Sequence, residues 1–151
     1  MLRKNRAGYG RTEIAIGAAV LVVIGLIAIP LMSGTTETAS RAELPLNVEA
    51  IRTAEIAYQG QFGDFVSADP APRRPEAVNG TPVPWAPTRG FKELSWSPEN
   101  TEQVIGSYRI SVDGKTFKVT GTSDTDSDGI RATFTATQSD AATQVSPDSA
   151  H

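Results

Sequence analysis

Asp124-Thr125-Asp126-Ser127-Asp128-Gly129 carries the sharpest chemical signature in this 151-residue chain. Carboxylates at alternate positions followed by glycine match the first half of a calcium loop. There the alternating oxygens converge on a hard cation, and the glycine permits the sharp turn. Asp124, Asp126 and Asp128 are therefore candidate ligands. The glutamate that usually closes such a loop at its twelfth position is missing, and Thr135 stands there instead. The remaining ligands would be carbonyls, water or a distant carboxylate such as Asp140. The alternative is a solvated acidic turn in which Asp and Gly serve turn geometry alone. Ca2+ is thus a candidate ion, and nothing else in the sequence requires a cofactor.

Other chemistry finds little support. The single histidine is His151, so no Ser-His or Cys-His arrangement exists. No glycine-rich phosphate loop follows a strand pattern, and an enzyme is not expected. The absence of cysteine excludes a disulfide framework and a thiolate metal site. The formal charge is −3, with three cations, Arg3, Lys4 and Arg6, in the first eight residues. Beyond them 11 basic and 17 acidic residues remain, a balance of −6. Nucleic acid is not indicated as a partner, because its binding depends on Lys and Arg at phosphates. Asn79-Gly80-Thr81 has the form of a glycosylation sequon, but Pro82 follows at once and such short matches arise by chance. Trp85 reads as a packing residue.

The other unusual carboxylate is Glu13, at the head of an uncharged apolar run, Ile14 to Met32. These 19 residues span about 28 Å as a helix, close to the ~30 Å hydrocarbon core of a bilayer. The basic cluster before them should stay cytoplasmic. The run alone reads as a single-pass anchor or a secretory signal. An ordinary signal has an apolar region of about 7–15 residues and is cut after it. This run is longer, although Pro30 to Gly34 imitates a cleavage region. A carboxylate near the membrane core costs roughly 2.5–3.5 kcal/mol and needs a cation.

Gly8-Tyr9-Gly10-Arg11-Thr12-Glu13-Ile14 resembles the class III signal of type IV pilins. The resemblance implies a cut after Gly8 by prepilin peptidase, N-methylation of Tyr9, and Glu13 as the assembly glutamate. Gly25 and Pro30 fall where pilins loosen or kink this helix. The cut would create an α-amino group with a reference pKa of about 8, largely charged at neutral pH. Glu13 of one subunit could then meet the Tyr9 amine of the next, leaving no unpaired charge in an apolar bundle. Tyr9 replaces the usual Phe. Arg11 adds a positive charge that can pair with Glu13 in its own chain or reach toward headgroups.

The implied partners are copies of the chain in a helical homopolymer, prepilin peptidase and the pilus assembly machinery of the inner membrane. The implied role is a structural subunit of a filament for adhesion or surface motility. The precursor would lie in the inner membrane, leader cytoplasmic and head periplasmic, before entering an extracellular filament. Two alternatives stand beside it. One is a pseudopilin of a type II secretion system, some of which stabilise their heads with calcium. The other is a membrane-tethered periplasmic binding module that never polymerises.

These residues need elements to position them. Pro30 should end or kink the first helix, and the Thr-rich stretch Ser33 to Ser40 has weak helix propensity. Helix resumes by about Arg41, with Leu44, Val48, Ile51, Tyr58 and Phe62 on one face, supported by Ala50, Ala54 and Ala57. Arg52, Glu55 and Gln59 point elsewhere. The helix ends near Gly60 to Gly63. Six prolines between residues 64 and 90 favour an extended loop. Tyr108, Ile110 and Val112 alternate before an Asp113-Gly114 turn, and Phe117 and Val119 alternate after it. That turn would set Ile110 opposite Phe117 and Tyr108 opposite Val119. Ile130, Ala132, Phe134 and Ala136 predict a third strand, and Phe91 to Trp96 a short extra one. Residues 138–151 read as a mobile polar tail.

The predicted organisation is a cleaved leader (1–8), an apolar transmembrane or filament-core helix (9–32), an amphipathic helix (33–63), a Pro-rich loop (64–90), a sheet (91–137) and a tail (138–151). The expected class is α+β, a long N-terminal helix kinked or melted near Pro30 and packed on a three- or four-stranded antiparallel sheet, as in the type IV pilin fold.

Overall fold

The computed structural model describes residues 36–99 and 102–147, and helix α1, Thr36–Phe62, is the one long helix among them. It starts earlier than Arg41 and continues through Pro45. Leu44, Val48 and Ile51 are buried along its inner face. Glu55 is fully buried beside them. Phe62 is 59% exposed and Ala57 also faces solvent, so the apolar stripe is shorter than the spacing suggests.

Five strands form the main sheet: β1 (Ala68–Ala71), β4 (Ser107–Asp113), β5 (Thr116–Ser123), β6 (Ala132–Thr137) and β7 (Thr143–Gln144). Their spatial order is β1-β4-β5-β6-β7, and every pair is antiparallel. Strands β2 (Val83–Pro84) and β3 (Gln103–Val104) make a separate two-stranded pair. A short helix, α2 (Arg89–Glu93), packs beside β1.

This overturns the expected class. The described residues hold a five-stranded main sheet rather than one of three or four strands, and the helix among them is α1, Thr36–Phe62, with the five-residue α2 and a single 3-10 turn at Pro75–Ala77. The extra strands are edges. Ala68–Ala71 comes from the Pro-rich stretch, and an edge strand tolerates Pro70 because only one side of it must pair. Thr143–Gln144 comes from the polar tail, which pairs with β6 through Phe134 and Thr135. Phe91 belongs to α2, not to a strand. Thr88 is extended ahead of it, and burying Phe91 and Leu94 favours their i, i+3 helical spacing.

The central hairpin has the expected faces and a different register. Ile110 pairs with Val119 and Val112 with Phe117, because the two-residue loop is Gly114-Lys115 and Asp113 closes the strand. The shift is two residues, so each side chain keeps its face. Tyr108, Ile110, Phe117, Val119, Ala132 and Ala136 all turn inward to α1 and are buried. Ile130 lies outside β6 and is 47% exposed.

At Gly121 the helix rests on bare backbone. A Cβ there would come 2.5 Å from Val48 Cγ2 and 2.9 Å from Leu44 Cδ1. Polar bonds also fix α1. Glu43 Oε1 accepts from Ile105 N and Gly106 N, both at 3.1 Å, and from the Tyr108 hydroxyl at 2.7 Å. Glu49 Oε2 accepts Ala142 N–H at 2.8 Å, and Arg52 donates to Thr137 O at 2.7 Å. Trp85 packs edge-on to Phe91 and Trp96, in keeping with a packing role.

Candidate metal centre in the β5–β6 loop

Strand β5 delivers Asp124 directly from Ser123, so its side chain begins inside the fold. Asp124 is 3% exposed, whereas Asp126 and Asp128 are exposed. One carboxylate oxygen from each of the three lies within 4.8 Å of the other two. The alternation read in the sequence therefore brings all three together.

Backbone N–H groups of the same loop orient them. Asp124 Oδ2 accepts from Gly129 N at 3.2 Å, and Asp128 Oδ1 accepts from Ile130 N at 2.7 Å. Asp126 Oδ1 takes a longer bond, 3.4 Å, from Asp128 N. Asp124 Oδ1 is buried and has no hydrogen-bond partner, and neither does the buried Thr125 Oγ1. An unpaired buried carboxylate oxygen is costly. Like charges at this separation add repulsion of about 1 kcal/mol per pair even in water. A cation answers both costs. The donor set is all oxygen and includes three carboxylates, which suits Ca2+ and not a soft metal.

Asp140 is no part of this group. It follows β6, and six strand residues at about 3.3 Å each put it roughly 20 Å along the sheet. Its carboxylate accepts from Thr137 Oγ1 and Ser139 Oγ at 2.6 and 3.0 Å, and these bonds lower its pKa. Thr135 lies within β6, paired with Thr120 and Thr143.

The acidic loop rests on the Pro-rich segment. Ser127 Oγ donates to Asn79 O at 2.7 Å, and Arg131 donates to Glu76 O at 3.0 Å. Gly80, at φ +71°, lies against Asp124 O and Thr125 O, where a Cβ would come within 2.8 and 3.0 Å. Arg73 gathers the same segment, donating to Thr81 O at 2.6 Å and Ile105 O at 2.8 Å.

Gly8, Tyr9, Arg11, Glu13 and Pro30 lie outside the described residues, as does the run Ile14 to Met32. Among the described residues no helix is long and apolar enough to cross a membrane. Sequence reasoning passed over Glu43 and turned Glu55 away from the core, and both carboxylates prove central to the fold. Glu55 occupies the helical position four after Ile51 and seven after Val48, a spacing that marked it for burial despite its charge. Its Oε2 accepts Val66 N–H at 3.1 Å, Oε1 has no partner, and burial pushes its pKa up to about 7. Glu43 pairs with groups more than 60 residues away, and nothing local signals that. Burial, then the Glu43 charge, pushes the Tyr108 hydroxyl well above its ordinary pKa.

Comparison with family models, curated proteins and solved structures gives no match to this chain.

Proposed function

We propose that the chain is a structural subunit that polymerises through its apolar N-terminal segment into a type IV pilus-like extracellular filament. The observation that carries this reading is Gly8-Tyr9 placed four residues before Glu13, at the threshold of the uncharged run Ile14 to Met32. Cleavage after Gly8 makes a cation at Tyr9. Glu13 is an anion that apolar surroundings penalise unless a cation meets it. A neighbouring subunit's amine supplies that cation, and the pair sets the axial register, since apolar packing among lipid-like side chains is weakly directional. The precursor then resides in the inner membrane, and the mature subunit in a fibre serving adhesion or surface motility.

Calcium in the β5–β6 loop belongs to the same reading, as a structural ion of a cysteine-free head. That combination also favours a second reading, a pseudopilin of a type II secretion system. A membrane-tethered module that never polymerises is the competing class.

Mass spectrometry of sheared surface fibres tests the first reading. The expected subunit begins at an N-methylated Tyr9. An uncut Met1 chain confined to the membrane would overturn it. Glu13→Ala should leave the protein inserted and unable to assemble without normal subunits present, as fibre counts by electron microscopy would record. Full fibre yield from that variant alone would end the charge-pair account.

A further inference from the structure

We infer that a divalent cation held by Asp124, Asp126 and Asp128 fastens residues 76–80, within the Pro-rich stretch, to the sheet, so that metal binding and docking of that segment are one coupled event. The inference rests on the reading of the acidic loop as a cation site and concerns what occupancy does to a second, distant segment. Beyond the convergence of the three carboxylates, Asp124 is 3% exposed and its Oδ1 is buried and unpartnered. Its other oxygen is already held by Gly129 N–H, so the carboxylate is fixed in place with one oxygen waiting for a ligand.

The loop has two working sides. On one, three carboxylates converge. On the other, its backbone and Ser127 receive residues 48 positions earlier in the chain. Gly80 fits against Asp124 O, Thr125 O and Ser127 Oγ so closely that a Cβ would come within 2.5 to 3.0 Å of all three. Ser127 donates to Asn79 O while its own backbone stands at φ +61°, a region that costs a non-glycine residue energy. Without a cation, mutual repulsion of the carboxylates favours opening of the loop, and opening withdraws Ser127 from Asn79 and the carbonyls from Gly80. With a cation, the loop keeps the shape that segment 76–80 recognises. From there Arg73 carries the order to Ile105 O, in the turn that Glu43 also holds. Coupling of this kind is reciprocal: whatever factor the cation adds to docking, docking adds to cation affinity.

The test uses the full chain in detergent micelles, with calorimetric titration of CaCl2 and hydrogen exchange of backbone amides, with and without CaCl2. Calcium should slow exchange in residues 76–81 by tenfold or more, and Asp126→Asn, an exposed change, should abolish the effect. Gly80→Ala should weaken calcium binding at least fivefold. Ser127→Gly suits the positive φ, so it preserves the fold while removing the hydroxyl. It should still bind calcium, more weakly by the coupling factor it has lost, and lose most of the slowing at 76–81. Calcium binding with unchanged exchange at 76–81, or with unchanged affinity in a folded Gly80→Ala chain, would overturn the coupling while leaving the ion site standing. Absence of binding at millimolar CaCl2 would overturn both.

Discussion

Single residues divide by whether their neighbours in sequence are also their neighbours in space. Asp124, Asp126 and Asp128 were legible because alternate positions in a turn converge without help from the rest of the fold. Glu55 was not, because its charge argued for solvent while its helical position argued for the core, and position won. That outcome has a titration consequence. Glu55 ionises at about 7 in the folded head against an ordinary value of 4.5, so the folded state favours the protonated form. Its contribution is complete below pH 4.5 and is lost as pH rises through 7, a penalty of roughly 3 kcal/mol. Glu55→Gln should remove that loss while keeping an acceptor for Val66 N–H. Chemical unfolding at pH 5 and pH 8 checks this: the wild type should weaken more than the variant by about that amount. Equal slopes would show that Glu55 does not carry the dependence.

At the scale of elements, regular pattern was readable and edge pairing was not. The β4–β5 hairpin and the β6 alternation follow from period-two sequence. The two-residue error in register changed partners without changing faces. Edge strands β1 and β7 contain four and two residues, too short for any periodicity, and they form because partners already in place accept them. Helix α1 shows tertiary contacts overriding propensity. It runs through Pro45, which removes a helical hydrogen bond and clashes with the preceding turn, at a typical cost near 3 kcal/mol relative to Ala. Burial of Leu44, Val48 and Ile51 and the bonds to Glu43 hold the helix across it. Pro45→Ala should therefore stabilise the head by about 1–3 kcal/mol, read as a higher midpoint in thermal unfolding. A lower midpoint would mean that the proline ring's packing outweighs the bond it removes.

For the whole molecule, two features matter together: an acidic balance of −6 beyond the first eight residues, and no cysteine to brace the head. An ion bound by the acidic loop would meet both needs. At a hundredfold excess over its dissociation constant, a ligand specific to the folded state adds about 2.7 kcal/mol. Millimolar calcium should then raise the midpoint of the full chain in detergent by on the order of 10 °C, and chelation should reverse it. An unchanged midpoint would remove calcium from the account. The meeting of segment 76–80 with the acidic loop was invisible in sequence, because 48 residues separate Ser127 from Asn79 and only the finished sheet brings them together. The N-terminal motif rests on local spacing alone and lies outside the described residues.

The polar bonds along α1 have a mechanical consequence. A tensile load entering the head at Thr36 reaches Glu43 first, anchored to the turn before β4. It then meets Glu49 and Arg52, tied to the loop after β6, and last Glu55, tied to Val66. The helix works as a tie rod with three separate fastenings, and a pull on one end is shared among distant parts of the sheet instead of peeling a single strand from its edge.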